Sequence, residues 1–188
     1  MTDDSKPQLR WLFRDARRRF VEALSATERA ALYVDLARTA SAVTQGFDLP
    51  GSYAATGDEI DPVEIEHGFA AIAFPRVNGD VISFHRSRWD ALVPGTFNIP
   101  EPAADARHVQ PDLLLVPLLA VTPAGVRLGQ GKGHYDRALA TMRKRAPVRT
   151  VALAWDCQIA ETLPVDPWDI PVDFIATPTR LFDCARSR

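Results

Sequence analysis

The stretch Leu113-Leu-Leu-Val-Pro-Leu-Leu-Ala-Val-Thr-Pro-Ala-Gly-Val-Arg-Leu-Gly-Gln-Gly-Lys-Gly-His-Tyr-Asp-Arg137 decides how this chain must fold. Its first four residues are uniformly apolar and a proline stops them. A strand covered on both faces reads this way, as strands of a parallel sheet between helices do. Three alternating glycines follow, and residues 134–145 then read as a helix. That helix closes on the basic Arg143-Lys-Arg145, which suits the negative end of a helix dipole. An apolar strand, a glycine loop and a helix in that order make an α/β unit.

The same signal recurs on either side. Short apolar runs at residues 51–55, 70–74, 81–84, 148–155 and 174–176 are bounded by Pro, Gly or Asp and read as buried strands. The chain begins differently. Leu9, Phe13, Ala16, Phe20 and Leu24 recur at spacings of three and four, one stripe of a helix. Beside them run Arg10, Arg14, Arg17 and Arg18, which on spacing alone form a solvated cationic face. Ser25 with Glu28 makes a capping box that opens a second helix through Ala30, Val34 and Ala37, ended by Gln45-Gly46. Asp61-Pro62 with Glu64 predicts a helix start, with the proline at its first position. Prolines from Pro94 to Pro111 mark a structured connection. One α/β domain over residues 1–188, with a helical N-terminal layer, is the expectation.

With 188 residues, 46% hydrophobic, the chain has enough apolar material for a large core. A chain of this length buries roughly 70% of its unfolded surface and needs no disulfide staples. The 22 Lys and Arg nearly balance 24 Asp and Glu, a formal charge of −2. No global field draws it to nucleic acid or an anionic membrane. No apolar run approaches the ~18 residues of a membrane span, and Met1 to Arg10 is too polar for a signal peptide. A cytoplasmic protein acting as a monomer is expected. Cys157 and Cys184 form no CxxC pair, and the four histidines show no ligand spacing, so any metal should be a hard cation on carboxylates.

Chemistry concentrates at the glycine loop. Gly129, Gly131 and Gly133 leave the main chain open to close approach by a ligand. Arg127 and Lys132 add two cations, and the helix start downstream adds oriented N–H donors, so the loop can cradle phosphate. It fits neither familiar template: Lys132 is followed by glycine rather than Ser or Thr, and the glycines run G-x-G-x-G rather than G-x-G-x-x-G. A glycine-rich turn beside a sheet is the competing reading. Asp136, in the first helical turn, either complements the helix dipole or ligates Mg²⁺, which takes one or two carboxylates plus phosphate oxygens. The cluster Asp166, Asp169 and Asp173 reads equally as turn residues.

Arg127-Leu-Gly-Gln-Gly-Lys-Gly-His-Tyr-Asp-Arg137 closely resembles the G-x-R-L-G-x-G-x-G-Y-Y-D-R signature of the 5-formyltetrahydrofolate cyclo-ligases. The resemblance extends over nearly the whole chain. Lys6-Pro-Gln-Leu-Arg10 is similar to the family's K-x-x-L-R. Gly57-Asp-Glu-Ile-Asp-Pro62 resembles G-E-[IV]-D-[PT], and the segment ending in Glu101-Pro102 resembles G-x-[IL]-x-E-P. Asp169-Ile-Pro-Val-Asp173, trailed by Thr177, resembles D-x-x-V-D. There are departures. His134 stands in place of tyrosine, Val121-Thr122 in place of Phe-Asp, Leu118 in place of glycine, and Asp58 is extra.

The resemblance implies a Rossmann-like three-layer α/β/α fold with a mostly parallel sheet. It also implies ATP-dependent conversion of 5-formyltetrahydrofolate to 5,10-methenyltetrahydrofolate, with Mg²⁺ as cofactor. By the same resemblance Lys6, Arg10, Arg127, Leu128, Gly129, Gln130, Gly131, Lys132, Gly133, His134 and Tyr135 would bind ATP. Arg127 and Lys132 would act in catalysis. Ala54, Glu59, Gln130, Gly131, Lys132, Gly133 and His134 would bind the folate, with Tyr53 beside them, and Asp136 and Asp169 would hold the metal. No catalytic nucleophile is expected. The other readings are a phosphosugar isomerase or CoA-transferase-like enzyme, a non-catalytic nucleotide-binding paralogue, and a nucleic-acid module using the arginines of the first helix. Nothing in the former enzymes requires Lys6, Arg10 or Asp169, and the last lacks interleaved stacking aromatics.

Overall fold

The computed structural model describes residues 5–187; the first four residues of the polar N-terminal stretch lie outside them. Two helices open the chain, α1 (Lys6–Glu22) and α2 (Ala26–Thr44). Pro7 sits in the first turn of α1, where a missing N–H costs nothing. Both halves of the predicted capping box form at Ser25 and Glu28. The packed faces match the expected stripes in part. In α1, Leu9, Phe13 and Phe20 pack inward as predicted, but Ala16 is exposed and Arg17 is buried beside them. In α2, Leu36, Ala40 and Val43 face inward with Ala37, while Val34 is exposed.

The remaining elements are β1 (Pro50–Gly51), α3 (Val63–Glu66), β2 (Ile72–Asn78), β3 (Val81–Ser87), β4 (Leu92–Pro94), β5 (Pro100–Pro102), β6 (His108–Val109), β7 (Leu113–Val116), β8 (Ala120–Val121), β9 (Arg127–Leu128), α4 (His134–Arg143), β10 (Arg149–Leu153), β11 (Phe174–Ala176) and β12 (Leu181–Asp183). The main sheet has the order β12-β11-β10-β7-β1-β2-β3-β6. It is parallel from β11 through to β2 and antiparallel at both edges.

Strand β7 shows why its sequence is continuously apolar. Leu113 and Leu115 pack toward α1 and α2, together with Val151, Leu153 and Trp155. Leu114 and Val116 pack on the opposite face with Ala138, Leu139 and Met142 of α4. Both faces are therefore covered by helices, and each fully buried leucine contributes about 2 kcal/mol. The arrangement is the three-layer α/β/α fold with a mostly parallel sheet.

Three expectations need correction. Only Gly51 of the run 51–55 lies in strand, because the chain leaves the sheet at Ser52 to form the rim of a cavity. Runs 70–74 and 81–84 belong to an antiparallel hairpin rather than strands covered on both faces, and Val81 is exposed. Its two-residue turn is Gly79-Asp80, with Gly79 at φ 59°, a turn that matches the strand twist. Finally, Pro62 caps α3 instead of starting it. Asp61 accepts from Val63 N at 3.0 Å, while Glu64 faces His67 rather than the cap.

Candidate functional site

β1 leads to β2 on one side of the sheet, and its neighbour β7 leads to β10 on the other. Where neighbouring strands send the chain in opposite directions, their carboxyl ends diverge and leave a crevice. A cavity of about 820 Å³ opens there, lined by Tyr53 and Ala54 after β1 and by Pro117 and Leu118 after β7.

The glycine loop forms one wall. It joins β9 to α4, and Gly131 and Gly133 adopt φ of 98° and 64°. At Gly131 the positive φ favours glycine, and a Cβ there would lie a tight 3.2 Å from the Arg10 guanidinium. Helix α1 grips this loop. Arg10 Nε donates to Gly129 O at 3.0 Å and Arg14 to Gln130 Oε1 at 2.7 Å. The expected solvated face is thus divided. Lys6, Arg10, Arg14 and Arg17 turn toward the protein, while Arg18 and Arg19 stay exposed beside Asp15. Lys132 lies at the exposed crest of the loop and lines the cavity, and its carbonyl accepts from Arg137 at 2.7 Å. Leu128, Gln130, His134 and Tyr135 also line the cavity.

Carboxylates and their counter-charges form the second wall. Arg127 is buried and donates to Asp136 at 2.7 Å and to the carbonyl of Ile170. Burial pulls its guanidinium below the ordinary value, and the charges of Asp136 and Asp169 oppose that. Asp136 also accepts from Ile170 N at 3.1 Å. Asp136 is therefore tied to the residue that follows Asp169, while the Asp169 carboxylate itself is taken by Lys6 and Asp166 N. Lys6 Nζ sits 2.6 Å from both Asp166 and Asp169. Partial burial works against the Lys6 charge, but the hydrogen bonds it donates to Asp166 and Asp169 hold its ammonium above the usual range. Among the described residues no group of three or more His, Cys, Asp or Glu side chains converges as a metal site. Asp136, Asp166 and Asp169 all line the cavity, and each is engaged by a cation of the protein itself.

The third wall is mixed. Glu59 accepts from Thr56 N at 3.0 Å and lies 3.8 Å from the buried Arg17. Tyr53 donates to Ile60 O at 2.5 Å, and burial raises its phenol well above the normal value. The Tyr135 hydroxyl is buried and, among the described residues, has no hydrogen-bond partner. Burial, and then the charge of Glu59, push it upward as well. Burial followed by the charge of Arg137 lowers His134, so its imidazole is neutral at pH 7. Pro75, Val77 and Ile82 supply apolar surface. An anion can therefore be held at one end and a flat, partly polar ring at the other.

Several residues of the cavity were given no site role by the sequence. Glu101, on β5, is buried, pairs with Arg76 at 2.8 Å and lines the cavity. Asp166 and Trp168 stand on the same turn as Asp169. Arg17, read as part of a solvated face, is buried instead, and the apolar wall from the β2–β3 hairpin carried no local signal. Of the departures, Leu118 lines the cavity and its carbonyl takes up Arg17 and Gln158. Thr122 is buried in the β8–β9 turn.

The 5-formyltetrahydrofolate cyclo-ligase family model matches residues 70–178. A curated Mycolicibacterium smegmatis protein named 5-formyltetrahydrofolate cyclo-ligase is 31% identical over 96% of this chain and 97% of its own length. The Escherichia coli K12 protein of the same name is 34% identical over 61% of this chain, a match that spans only 65% of the relative. Among solved structures, the Aquifex aeolicus 5,10-methenyltetrahydrofolate synthetase superposes with a TM-score of 0.77 at 29% identity, covering 95% of this chain and 92% of that one. The Mycoplasma pneumoniae synthetase shares the fold at a TM-score of 0.70 and 22% identity, over 93% and 99% of the two chains.

Proposed function

The chain belongs to the 5-formyltetrahydrofolate cyclo-ligase family, and we propose that it converts 5-formyltetrahydrofolate and ATP into 5,10-methenyltetrahydrofolate, ADP and phosphate. The formyl oxygen is a poor leaving group, so N10 cannot displace it unaided. In the proposed reaction that oxygen attacks the γ-phosphorus of ATP and ADP departs. N10 then attacks the activated carbon, losing its proton, and the C–O bond breaks to release inorganic phosphate. Such a transfer needs alignment and charge neutralisation more than a covalent enzyme group.

The cavity between β1 and β7 carries this reading, because it puts a cationic glycine loop and a partly apolar ring pocket in one continuous space. Arg10, Arg127 and Lys132 supply positive charge to the phosphates, and Lys6 joins them when it leaves its carboxylates. Gly129 to Gly133 let the main chain approach the phosphates closely. Glu59 and the Tyr135 hydroxyl orient the folate over Ala54, with Tyr53 behind. Asp136 and Asp169 would hold Mg²⁺, which supplies charge neutralisation on the phosphates when bound. We further propose that residues 1–188 act as one catalytic domain, as a cytoplasmic monomer. No helix among the described residues is long and apolar enough to cross a membrane.

The test is direct. Purified protein mixed with Mg-ATP and 5-formyltetrahydrofolate should generate the near-ultraviolet band of the methenyl product, dependent on both substrates. A folded protein that binds ATP and yields no such band would refute the proposal.

A further inference from the structure

Residues 166–169 form a braced turn at the mouth of the cavity. Asp169 N donates to Asp166 O at 3.0 Å, and Asp166 N donates back to Asp169 Oδ2 at 2.8 Å. Pro167 fixes φ at the second position, and the Lys6 ammonium clamps both carboxylates. Trp168, at the third position, is held out by this frame. It is 68% exposed, yet it lines the cavity. A tryptophan ring left in water forgoes the burial that usually places this residue in a core, and here the rigid turn prevents it from folding back.

We infer that Trp168 is the stacking platform for the purine ring of the nucleotide. This rests on the proposed binding of ATP at the cationic loop. The neighbours of Trp168 decide which ring it meets. Both flanking aspartates belong to the carboxylate wall, and Lys6 reaches them from the first turn of α1. Arg10, one turn further along the same helix, holds Gly129 of the loop. Trp168 therefore stands at the phosphate end of the cavity. The polar groups suited to a pterin, Glu59 and the Tyr135 hydroxyl, lie on the mixed wall with Tyr53. A nucleotide whose phosphates occupy the loop has its base still to place, and an aromatic face accepts a purine without hydrogen-bond readout.

The experiment compares wild type, Trp168→Ala and Trp168→Phe by calorimetric titration with Mg-ATP, inorganic tripolyphosphate and 5-formyltetrahydrofolate. Trp168→Ala should weaken Mg-ATP binding by about tenfold, as loss of one base–aromatic stack does. Trp168→Phe should recover most of it. Tripolyphosphate, which has no base, and the folate should bind all three proteins equally. Unchanged Mg-ATP affinity in Trp168→Ala would overturn the stacking role while leaving the ATP site standing. An equal loss for tripolyphosphate would overturn it too, by making Trp168 a support for the turn. A loss confined to the folate would assign the ring to the other substrate. Wild type that binds neither ATP nor tripolyphosphate would defeat both this role and the proposed reaction.

Discussion

Lys6 Nζ lies 2.6 Å from Asp169 Oδ2, so the candidate metal ligand is already engaged by a cation of the protein itself. A lysine in the first turn of α1 and a magnesium ion would compete for the same carboxylate. In the proposed reaction Mg-ATP would resolve the competition, because its phosphates would offer Lys6 a new partner. Lys6→Met should therefore bind Mn²⁺ or Mg²⁺ more tightly than wild type in the absence of nucleotide, and Mg-ATP more weakly. Free Mn²⁺ measured by electron paramagnetic resonance tests the first half. Weaker ion binding in the variant would show that Lys6 does not occupy the metal position.

Asp136→Asn should depress turnover strongly with modest effect on stability, because the amide oxygen still accepts from Arg127 or Ile170 N. Asp169→Asn should lose less and recover partly at high Mg²⁺. Turnover against magnesium concentration separates these outcomes. An unchanged magnesium dependence in both variants would reduce Asp136 to a partner for Arg127 and Asp169 to a turn residue.

The loop glycines differ from glycines elsewhere in what they protect. Gly131 has φ 98° and a Cβ there would press on Arg10; Gly46 has φ 85° with open space around it. Both Gly131→Ala and Gly46→Ala should lose on the order of 1–2 kcal/mol in urea unfolding, from backbone strain. Only Gly131→Ala should raise the KM for ATP. Equal KM values in the two variants would remove the Gly131–Arg10 contact from nucleotide binding.

His134 gives a pH dependence with a definite sign. Burial and Arg137 lower its pKa in the folded protein below the ordinary 6.5. The unfolded chain then takes up a proton at higher pH than the folded one does. Its share of stability is complete above about pH 6.5 and is lost as the pH falls through 6.5 toward the folded value. His134→Tyr should lose less stability than wild type between pH 7 and pH 5. Parallel unfolding midpoints across that range would count against a depressed imidazole.

The fold was readable because its decisive feature is local. Four consecutive apolar residues at β7 announce cover on both faces, and Leu113 to Val116 indeed divide between α1–α2 and α4. The hairpin at β2 and β3 was harder, since a short apolar run does not reveal which neighbour it pairs with. The phosphate wall was legible for a related reason: Arg127, the glycines and Asp136 lie within ten residues of one another. Asp169 came from resemblance alone. Glu101 and Trp168 were missed as functional residues because their positions depend on packing between distant segments. Arg17 looked solvated because its partners, Leu118 O and Glu59, lie 101 and 42 positions away in sequence.

The clamp between Lys6 and the turn of Asp166 and Asp169 joins residues separated by 160 and 163 positions. During synthesis, Lys6 leaves the ribosome long before its partners exist. At 5–20 residues per second, the interval is about 8 to 32 s. Arg10 and Arg14 wait only until Gly129 and Gln130 are made, whereas Lys6 has no partner through the whole of that time. The carboxylate wall of the cavity is thus among the last parts of the molecule to be assembled, and a growing chain that stops short of Asp166 has no clamp for the beginning of α1.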